Sequence, residues 1–280
     1  MHWLCLLVSA IFVAACSAPK PAASTGSDRP MRIISLDYCA DQYVLRLADR
    51  EQILAVSPDA VKPFSYMRET AIGVAVVRPL AEDVLIMKPD LVVRSYGGGP
   101  NAAGFFERAG IPVLQVGWAS SIHGEQVGAI PFLIQEMADG LGQSDRGRAL
   151  VTDYRTQLAE IRESATEKTA LYITPSGVTS GSGSLVHDAM LAAGLTNYLD
   201  KPGWHSLPLE GLAYERPDLV AASFFGTHSN HQSLWSAARH PVAQRELEAP
   251  VRVDLDGAWT SCGGWFIADA VKALSEGAAK

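Results

Sequence analysis

One phrase occurs twice in this chain, and it constrains the fold more than any other feature. Residues 78–93 read RPLAEDVLIMKPDLVV, and residues 206–221 read SLPLEGLAYERPDLVA. In each copy a Pro-Leu pair stands just before a Glu, and Pro-Asp-Leu-Val begins seven residues after that Glu. Glu82 and Glu210 are 128 residues apart. Helical spacing that stops before a Pro and continues as a short apolar run is typical of a helix leading into a strand. The repeat therefore predicts two similar α/β units.

Short apolar runs alternate with amphipathic stretches on both sides of a helical middle. Strand-like runs such as RIISL and DLVVRS come first, and the alternation returns at ALYITP. Between them the chain carries scarcely any strand signal, and residues 145–164 have apolar residues spaced three or four apart. Such alternation predicts βαβ units and parallel sheets. We therefore predict an α/β fold of two Rossmann-like lobes with parallel-rich sheets, spanning 31–142 and 168–280 and joined by one long helix within 143–167.

The first thirty residues do not read as part of the fold. Residues 1–15 hold an apolar run that is too short to span a bilayer, and residues 16–30 are rich in Pro, Ala and Ser, as in a flexible tether. The run resembles a bacterial lipoprotein signal in which VAAC is the lipobox and Cys16 is lipidated, which would hold the protein at a membrane surface. A cleaved secretory signal with an incidental Cys16 is the alternative. Both interpretations predict an exported protein.

Charge and cysteine content narrow the function classes further. The net charge is −7, whereas a general nucleic-acid binder needs a basic face. In an exported protein the two remaining cysteines of the folded part, Cys39 and Cys262, can oxidise. The sequence leaves open whether they pair, and two cysteines are too few for a disulfide framework.

The predicted loops are rich in aromatic residues. Open α/β sheets bind ligands at the carboxyl ends of their strands, and two such faces opposed across a gap form an interlobe cleft. Rings in these loops suit a large, planar, partly apolar ligand. The predicted ligand-binding residues are Tyr38, Phe64, Tyr66, Tyr96, Trp118, Trp204, His205, Phe225 and Trp259.

Metal and enzyme alternatives have weaker signals. His228 and His231 have the spacing of imidazole metal ligands, but the first lobe adds only His123, so we predict no metal centre and no cofactor. Axial ligation of haem iron by a Tyr or His stays open. The GSGSL stretch at 181–185 lacks the Gly-x-Ser-x-Gly pattern of a secreted α/β hydrolase, and no Gly-Lys-Ser/Thr follows it. We therefore do not expect an enzyme. A purely structural envelope lipoprotein would not need an aromatic cleft.

Four motifs in order carry a family resemblance. RIISL (32–36), EDVLIMKPDLVV (82–93), GIPVLQV (110–116) and EGLAYERPDLVA (210–221) resemble the substrate-binding proteins of ABC importers for ferric siderophores, haem and vitamin B12. The likeness covers residues 31–275. It implies a periplasmic or cell-envelope monomer that holds a small-molecule ligand between two lobes and delivers it to a permease dimer with its ATPase subunits.

The resemblance also suggests a role for the repeated Glu. In the family, one acidic residue on each lobe meets arginines of the two permease subunits, and by position these are Glu82 and Glu210. The alternative is that both are ordinary acids at helix starts, where the helix dipole favours them. The only loop arginines that could meet an anionic siderophore are Arg68, Arg78 and Arg94, which favours a corrinoid. The choice among corrinoid, siderophore and haem stays open.

Overall fold

The computed structural model describes residues 29–117, 126–162, 167–223, 235–249 and 251–280. The strands are β1 Ile33–Ser35, β2 Ile53–Ala55, β3 Leu91–Arg94, β4 Val113–Gln115, β5 Thr169–Ile173, β6 Val178–Ser180, β7 Thr196–Asn197, β8 Trp204–Ser206, β9 Leu219–Ala222 and β10 Arg252–Asp254. The α-helices are α1 Tyr38–Leu47, α2 Ala81–Ile86, α3 Ala102–Arg108, α4 Gln126–Gly140, α5 Ser144–Arg162, α6 Leu185–Ala192, α7 Leu209–Tyr214, α8 Pro241–Leu247, α9 Gly257–Thr260 and α10 Ile267–Ala278.

Two four-stranded parallel sheets follow the same path through the chain. The first has the order β2-β1-β3-β4, and the second, read from its other edge, has the order β7-β5-β9-β10. Ile34 pairs with Val92 in the first sheet, and Leu171 pairs with Val220 in the second. Val92 and Val220 are 128 residues apart, the same spacing as the repeated Glu. The predicted α/β fold with two similar units is therefore confirmed.

The Asp of the repeated Pro-Asp-Leu-Val has a structural role. The carboxylate of Asp90 accepts hydrogen bonds from the backbone N–H groups of Met31 (2.8 Å) and Arg32 (2.9 Å), just before β1. Asp218 accepts from the N–H (2.7 Å) and the hydroxyl (2.9 Å) of Thr169, where β5 begins. The backbone hydrogen bond from Thr169 is the main reason that the pKa of Asp218 is lowered. Each Asp thus fixes the start of the strand beside its own.

A helical hairpin lies between the two sheets in the sequence. The helix predicted over 145–164 is present as α5, which at 1.5 Å per residue is roughly 28 Å long. Helix α4 begins at Gln126, before the predicted start at Pro131, so Pro131 lies inside it. A proline there cannot donate to the carbonyl of Val127. The hydroxyl of Tyr154 in α5 donates to that carbonyl at 2.9 Å instead, so the polar group stays satisfied.

One large core joins the inner faces of both sheets. It includes Ile33 of β1, Leu219 of β9 and residues of α1, α4, α5, α6 and α10 between them. Two smaller cores lie on the opposite faces. One packs Val84 of α2 against β1 and β3, and the other packs Leu212 of α7 against β5 and β9. The two units therefore share one interior, while the predicted lobe boundaries stay a prediction.

A short antiparallel pair of strands was not indicated by the sequence pattern. Strands β6 and β8 pair with each other, so residues predicted as glycine-rich and tryptophan-containing loops form a small separate sheet. Three-residue strands beside glycines give too little periodicity to detect. Across the described residues, no helix has the length and apolar character needed to cross a membrane.

Candidate ligand-binding site

Three of the predicted aromatic residues meet at the carboxyl end of the first sheet. Tyr38 follows β1, Phe64 lies in the segment after β2, and Tyr96 follows β3. The ring centroids of Tyr38 and Phe64 are 5.1 Å apart, and those of Tyr38 and Tyr96 are 6.0 Å apart, both with edge-to-face geometry. We call these three residues the ring group. Tyr96 remains 48% exposed, so the group presents aromatic surface to solvent.

A buried carboxylate positions the ring group. Asp37 caps α1 by accepting from the N–H of Ala40 (3.0 Å). The other oxygen of the same carboxylate accepts from the N–H groups of Ser95 (2.7 Å), Tyr96 (3.0 Å) and Gly97 (2.8 Å). It therefore ties the loop after β3 to the start of α1 and brings Tyr96 beside Tyr38. Asp37 was not among the predicted site residues, although an Asp directly between a strand and a helix is a typical capping signal.

Arg94 completes the same loop from below. Its guanidinium is buried and donates to the carbonyl oxygens of Gly97 (2.8 Å) and Gly99 (3.0 Å) and to Oε1 of Gln115 (3.0 Å). A Cβ on Gly97 would lie 2.3 Å from the carbonyl oxygen of Leu36, so this close approach requires glycine. Arg94 thus shapes the loop and is unavailable as a counter-ion for an anionic ligand.

Helix α1 is joined to three consecutive residues of the C-terminal half. The hydroxyl of Tyr38 donates to the carbonyl of Ser261 (3.0 Å), and that of Tyr43 donates to the carbonyl of Gly263 (2.9 Å). Between them, Cys39 and Cys262 form a disulfide with a Cα–Cα distance of 5.6 Å. We call these contacts the seam. Because Tyr38 follows β1 and the 261–263 segment follows β10, the seam lies where the carboxyl ends of the two sheets approach each other.

Tyr66 belongs to a contact between the halves and lies apart from the ring group. Its ring stacks on Phe266 with centroids 4.9 Å apart, and its hydroxyl donates to Asp269 at 2.8 Å. Burial and the hydrogen bond to Asp269 raise the pKa of Tyr66 to about 12. Tyr66 and Trp265 also line a cavity of about 230 Å³ beside α5. Trp259 packs, half-buried, against the shared core.

Trp204 and His205 cannot line one pocket wall together. They are successive residues of β8, and successive side chains of a strand point to opposite faces. Trp204 is 59% exposed and meets Tyr172 edge-on at 6.1 Å. The Nε2 atom of His205 lies 2.8 Å from the carbonyl oxygen of Pro202. The remaining predicted residues that lie outside the described part of the chain are Cys16, Trp118 and Phe225, and the same holds for His123, His228 and His231.

The surroundings of the ring group are acidic. Burial raises the pKa of the Tyr38 phenol, and the carboxylates of Asp37 and Asp59 raise it further. Burial, together with Tyr38, Asp37 and Asp59, also raises the pKa of Tyr96. Deeper in the same loop cluster, burial raises the pKa of Asp41 to about 6 despite hydrogen bonds from Ser57. Both phenols are therefore neutral near pH 7, and the local field opposes a negative ligand group.

The other loop arginines of the first half also have partners in the chain. Arg78 makes two hydrogen bonds to the carboxylate of Asp83, at 2.6 and 3.1 Å. Arg68 donates to the carbonyl of Ser65 at 3.3 Å and lies 3.8 Å from Glu69. Together with buried Arg94, none of the three considered for an anionic siderophore is free to serve as a dedicated counter-ion.

The repeated Glu residues occupy matching places on the surface. Glu82 is the second residue of α2, Glu210 is the second residue of α7, and both are exposed. Helix α2 begins beside the glycine loop, because the carbonyl oxygen of Pro79 lies 3.6 Å from the position of a Cβ on Gly98. Since each helix runs back along its sheet, both Glu residues lie at the carboxyl ends of the sheets.

The described cavities lie along the helical hairpin. One of about 560 Å³ is bounded by α4, α5 and α6, and one of about 370 Å³ lies between α5 and α10. The ring group instead forms an open surface. In the part of the chain that the structure describes, no group of three or more His, Cys, Asp or Glu residues is arranged to hold a metal ion.

Comparisons with known proteins agree with this architecture. A model of the family described as "Periplasmic binding protein" matches residues 33–223, more than half of the chain. No curated protein sequence matches significantly. Among solved structures, a possible iron-binding, periplasmic solute-binding protein of Staphylococcus epidermidis is 18% identical, with a TM-score of 0.69, over 90% of this chain and 100% of that one.

Two further structures have similar scores. A periplasmic haem-binding protein of Pseudomonas aeruginosa is 20% identical over 88% of this chain and 91% of its own, with a TM-score of 0.66. The periplasmic vitamin B12-binding protein BtuF of Vibrio cholerae is 18% identical over 89% of this chain and 96% of its own, with a TM-score of 0.64. At these identities the likeness establishes the shared fold.

Proposed function

Because this chain belongs to the periplasmic binding protein family, we propose that it is the substrate-binding component of an ABC importer, which captures a ligand between its two halves and delivers it to a membrane permease. Membership makes the chain an extracytoplasmic solute-binding protein and not an enzyme. The ligand, the permease and the mode of membrane attachment are the parts of this proposal that need experiments.

The observation that carries the proposal is the position of the ring group beside the seam. Tyr38 contacts Phe64 and Tyr96 with its ring and reaches Ser261 of the other half with its hydroxyl. A ligand resting on these rings would therefore touch the first half while lying directly above the junction with the second. Aromatic side chains give large contact areas with few rotatable bonds, so they bind flat ligands at low entropy cost.

The chemistry around the ring group favours a corrinoid of the vitamin B12 type over a ferric catecholate siderophore. A highly anionic siderophore needs several free cations, whereas Arg68, Arg78 and Arg94 are held by partners in the chain. Asp37 and Asp59 add negative charge nearby. A corrinoid with neutral amide side chains can donate hydrogen bonds to such carboxylates and stack its ring face on Phe64 or Tyr96.

Haem is the competing ligand. The similar fold of the haem-binding protein of Pseudomonas aeruginosa supports it. Tyrosine ligates ferric iron as the phenolate, however, and the raised pKa values of Tyr38 and Tyr96 oppose that form. His205 is close to the carbonyl of Pro202. These features place haem second to a corrinoid.

The test is calorimetric titration of the purified protein with cyanocobalamin, haemin and a panel of ferric siderophores. We expect one-to-one binding of cyanocobalamin, and a tenfold or greater loss in a Phe64→Ala/Tyr96→Ala double variant. Tyr172, which is buried in β5, provides a matched control, because Tyr172→Phe keeps the core and should leave affinity unchanged. Haemin binding without cobalamin binding would replace the corrinoid by haem. Failure of every ligand would remove the proposed substrate class.

We also propose that Glu82 and Glu210 dock onto arginines of the two permease subunits. Both are exposed, at equivalent places on equivalent helices. Replacing both by Arg should abolish uptake in cells while the soluble protein keeps its ligand affinity. Asp83→Asn is the matched control, since Asp83 already pairs with Arg78. Uptake that survives the double replacement would rule out this docking role.

Attachment through a lipid on Cys16 completes the proposal. It is supported by the apolar run and the VAAC motif that precede a Pro- and Ala-rich tether. A Cys16→Ala protein should move from the membrane fraction to the soluble fraction of the envelope. A variant that stays with the membrane would exclude lipidation as the anchor.

A further inference from the structure

The two docking helices share more than the repeated Glu. Helix α2 ends at Ile86, which is 78% exposed, and α7 ends at Tyr214, which is 93% exposed. These two positions are also 128 residues apart. Each lies four residues after the Glu of its helix, and residues at this spacing are neighbours on one helix face. Each half therefore displays a carboxylate beside a large apolar side chain.

The inward face of each helix explains why the outward face is fixed. Val84 and Leu212 are fully buried, and they too are separated by 128 residues. Each anchors its helix to the smaller core on the outer face of its sheet. Burial of the fourth residue turns the second and sixth residues outward, so the pair of exposed side chains has the same orientation relative to each sheet.

The carboxylates of this pair are available to a partner. Within the described part of the chain, neither Glu82 nor Glu210 has an ion pair or a side-chain hydrogen bond. Asp83, in contrast, is held by Arg78 at 2.6 Å. Exposed Ile and Tyr side chains of this size contribute nothing to the interior, whereas burial in a partner would remove a large apolar area from water.

We propose that Ile86 and Tyr214 are the apolar anchors of the permease contact, each inserting beside the arginine that pairs with the neighbouring Glu. This rests on the proposed importer function and extends it from a charge contact to a two-part contact. Two patches of one design on topologically equivalent helices fit a partner with two equivalent surfaces, as a permease dimer has. The expected partner surface is a cationic group next to an apolar pocket, roughly 6 Å away.

The same pairing assigns different tasks to the two groups. Exposed charges steer the encounter and depend on ionic strength, while a buried apolar anchor slows dissociation. Glu variants should therefore lower mainly the association rate, and the effect should shrink in high salt. Ile86 and Tyr214 variants should raise mainly the dissociation rate, with little salt dependence.

The test measures binding of the full chain to its permease–ATPase complex in lipid nanodiscs, by surface-immobilised kinetics at 50 and 500 mM NaCl. The variants are Ile86→Ser, Tyr214→Ser and both together. We expect about 10-fold to 100-fold weaker binding for each single variant, through faster dissociation. Tyr214→Phe keeps the ring and should stay within about threefold of the parent. Leu191→Ser is the matched control, because Leu191 is 51% exposed on α6, across the second sheet from α7.

The outcomes separate this inference from the proposed function. If the parent and the Leu191→Ser control bind while the Ser variants dissociate faster, the anchors are supported. If the Glu variants lose binding but Ile86→Ser and Tyr214→Ser do not, the anchors are wrong and the importer function stands. If the parent itself does not bind the complex, the proposed partner fails and the anchors fail with it. Unchanged melting temperatures of the surface variants will exclude misfolding as the cause.

Discussion

Removal of the disulfide between Cys39 and Cys262 tests whether the seam holds the two halves together. The bond links residues 223 positions apart, so it restrains nearly the whole unfolded chain. The loop-entropy relation gives about 5 kcal/mol for a loop of this length, and removal of native disulfides commonly costs about 2–5 kcal/mol. The hydrogen bonds of Tyr38 and Tyr43 to the flanking carbonyls remain in the variant, so the folded seam should persist. We therefore expect Cys39→Ala/Cys262→Ala to lower the free energy of unfolding by about 2–5 kcal/mol.

The assay is equilibrium unfolding in guanidinium chloride, followed by far-UV circular dichroism and tryptophan fluorescence. In a thermal scan the same loss should lower the melting temperature by roughly 5–15 °C. The parent protein in reductant is the matched control and should behave like the double variant. Because the inner faces of both sheets share one core, the two probes should report a single transition.

Two results would refute this reasoning. A free energy of unfolding within about 1 kcal/mol of the parent would mean that the bond restrains little that the hydrogen bonds do not already restrain. Separate transitions for the two probes would mean that the halves unfold independently, which contradicts the shared core.

Three other predictions follow from single polar groups. Tyr66→Phe should cost about 1–2 kcal/mol in chemical denaturation, because the hydroxyl loses its hydrogen bond to Asp269 while the ring keeps its packing; no change would place that bond in solvent. The pKa of Asp41 is raised to about 6, so the folded state binds more protons than the unfolded state between pH 4 and 6 and stability falls as pH rises through that window. Urea unfolding across this range should therefore show a weaker decline, by up to roughly 3 kcal/mol, for Asp41→Asn than for the parent. Asp218→Asn should cost about 1 kcal/mol at pH 7 by weakening the hydrogen bonds from Thr169. Because the pKa of Asp218 is lowered, that difference should disappear as pH falls through the folded-state pKa, and a difference that persists at pH 2 would contradict the assignment.

Local patterns predict most elements of this fold because strand and helix signals depend on neighbouring residues. The repeat even predicts the matching paths of the two sheets, since β3 and β9 follow equivalent helices. Helix α4 starts earlier than its pattern indicates because Tyr154, distant in sequence, satisfies the carbonyl that Pro131 leaves free. The pairing of β6 with β8 depends on contacts between three-residue segments that have no period of their own.

The site is less predictable than the fold for the same reason. Tyr38, Phe64 and Tyr96 come from loops after strands, and a parallel sheet brings such loops together, so their meeting follows from topology. Tyr66 has the same kind of sequence context but turns to Phe266 and Asp269. Only the three-dimensional position of α10 decides between these outcomes. Cys39 and Cys262 likewise pair because of the contact between α1 and the segment after α9, which no local pattern encodes.

Folding alone does not explain every repeated position of the chain. Asp90 and Asp218 fix the starts of neighbouring strands, and Val84 and Leu212 bury the helices, so an isolated α/β unit would need these residues. Ile86 and Tyr214 face solvent, where folding would favour polar side chains, and the Glu residues beside them lack partners in the described chain. An exposed apolar residue at one site is ordinary, but the same pairing at both ends of a 128-residue repeat requires a common cause. A partner that meets both halves through equivalent surfaces supplies that cause, whereas two unrelated solvent-facing accidents do not.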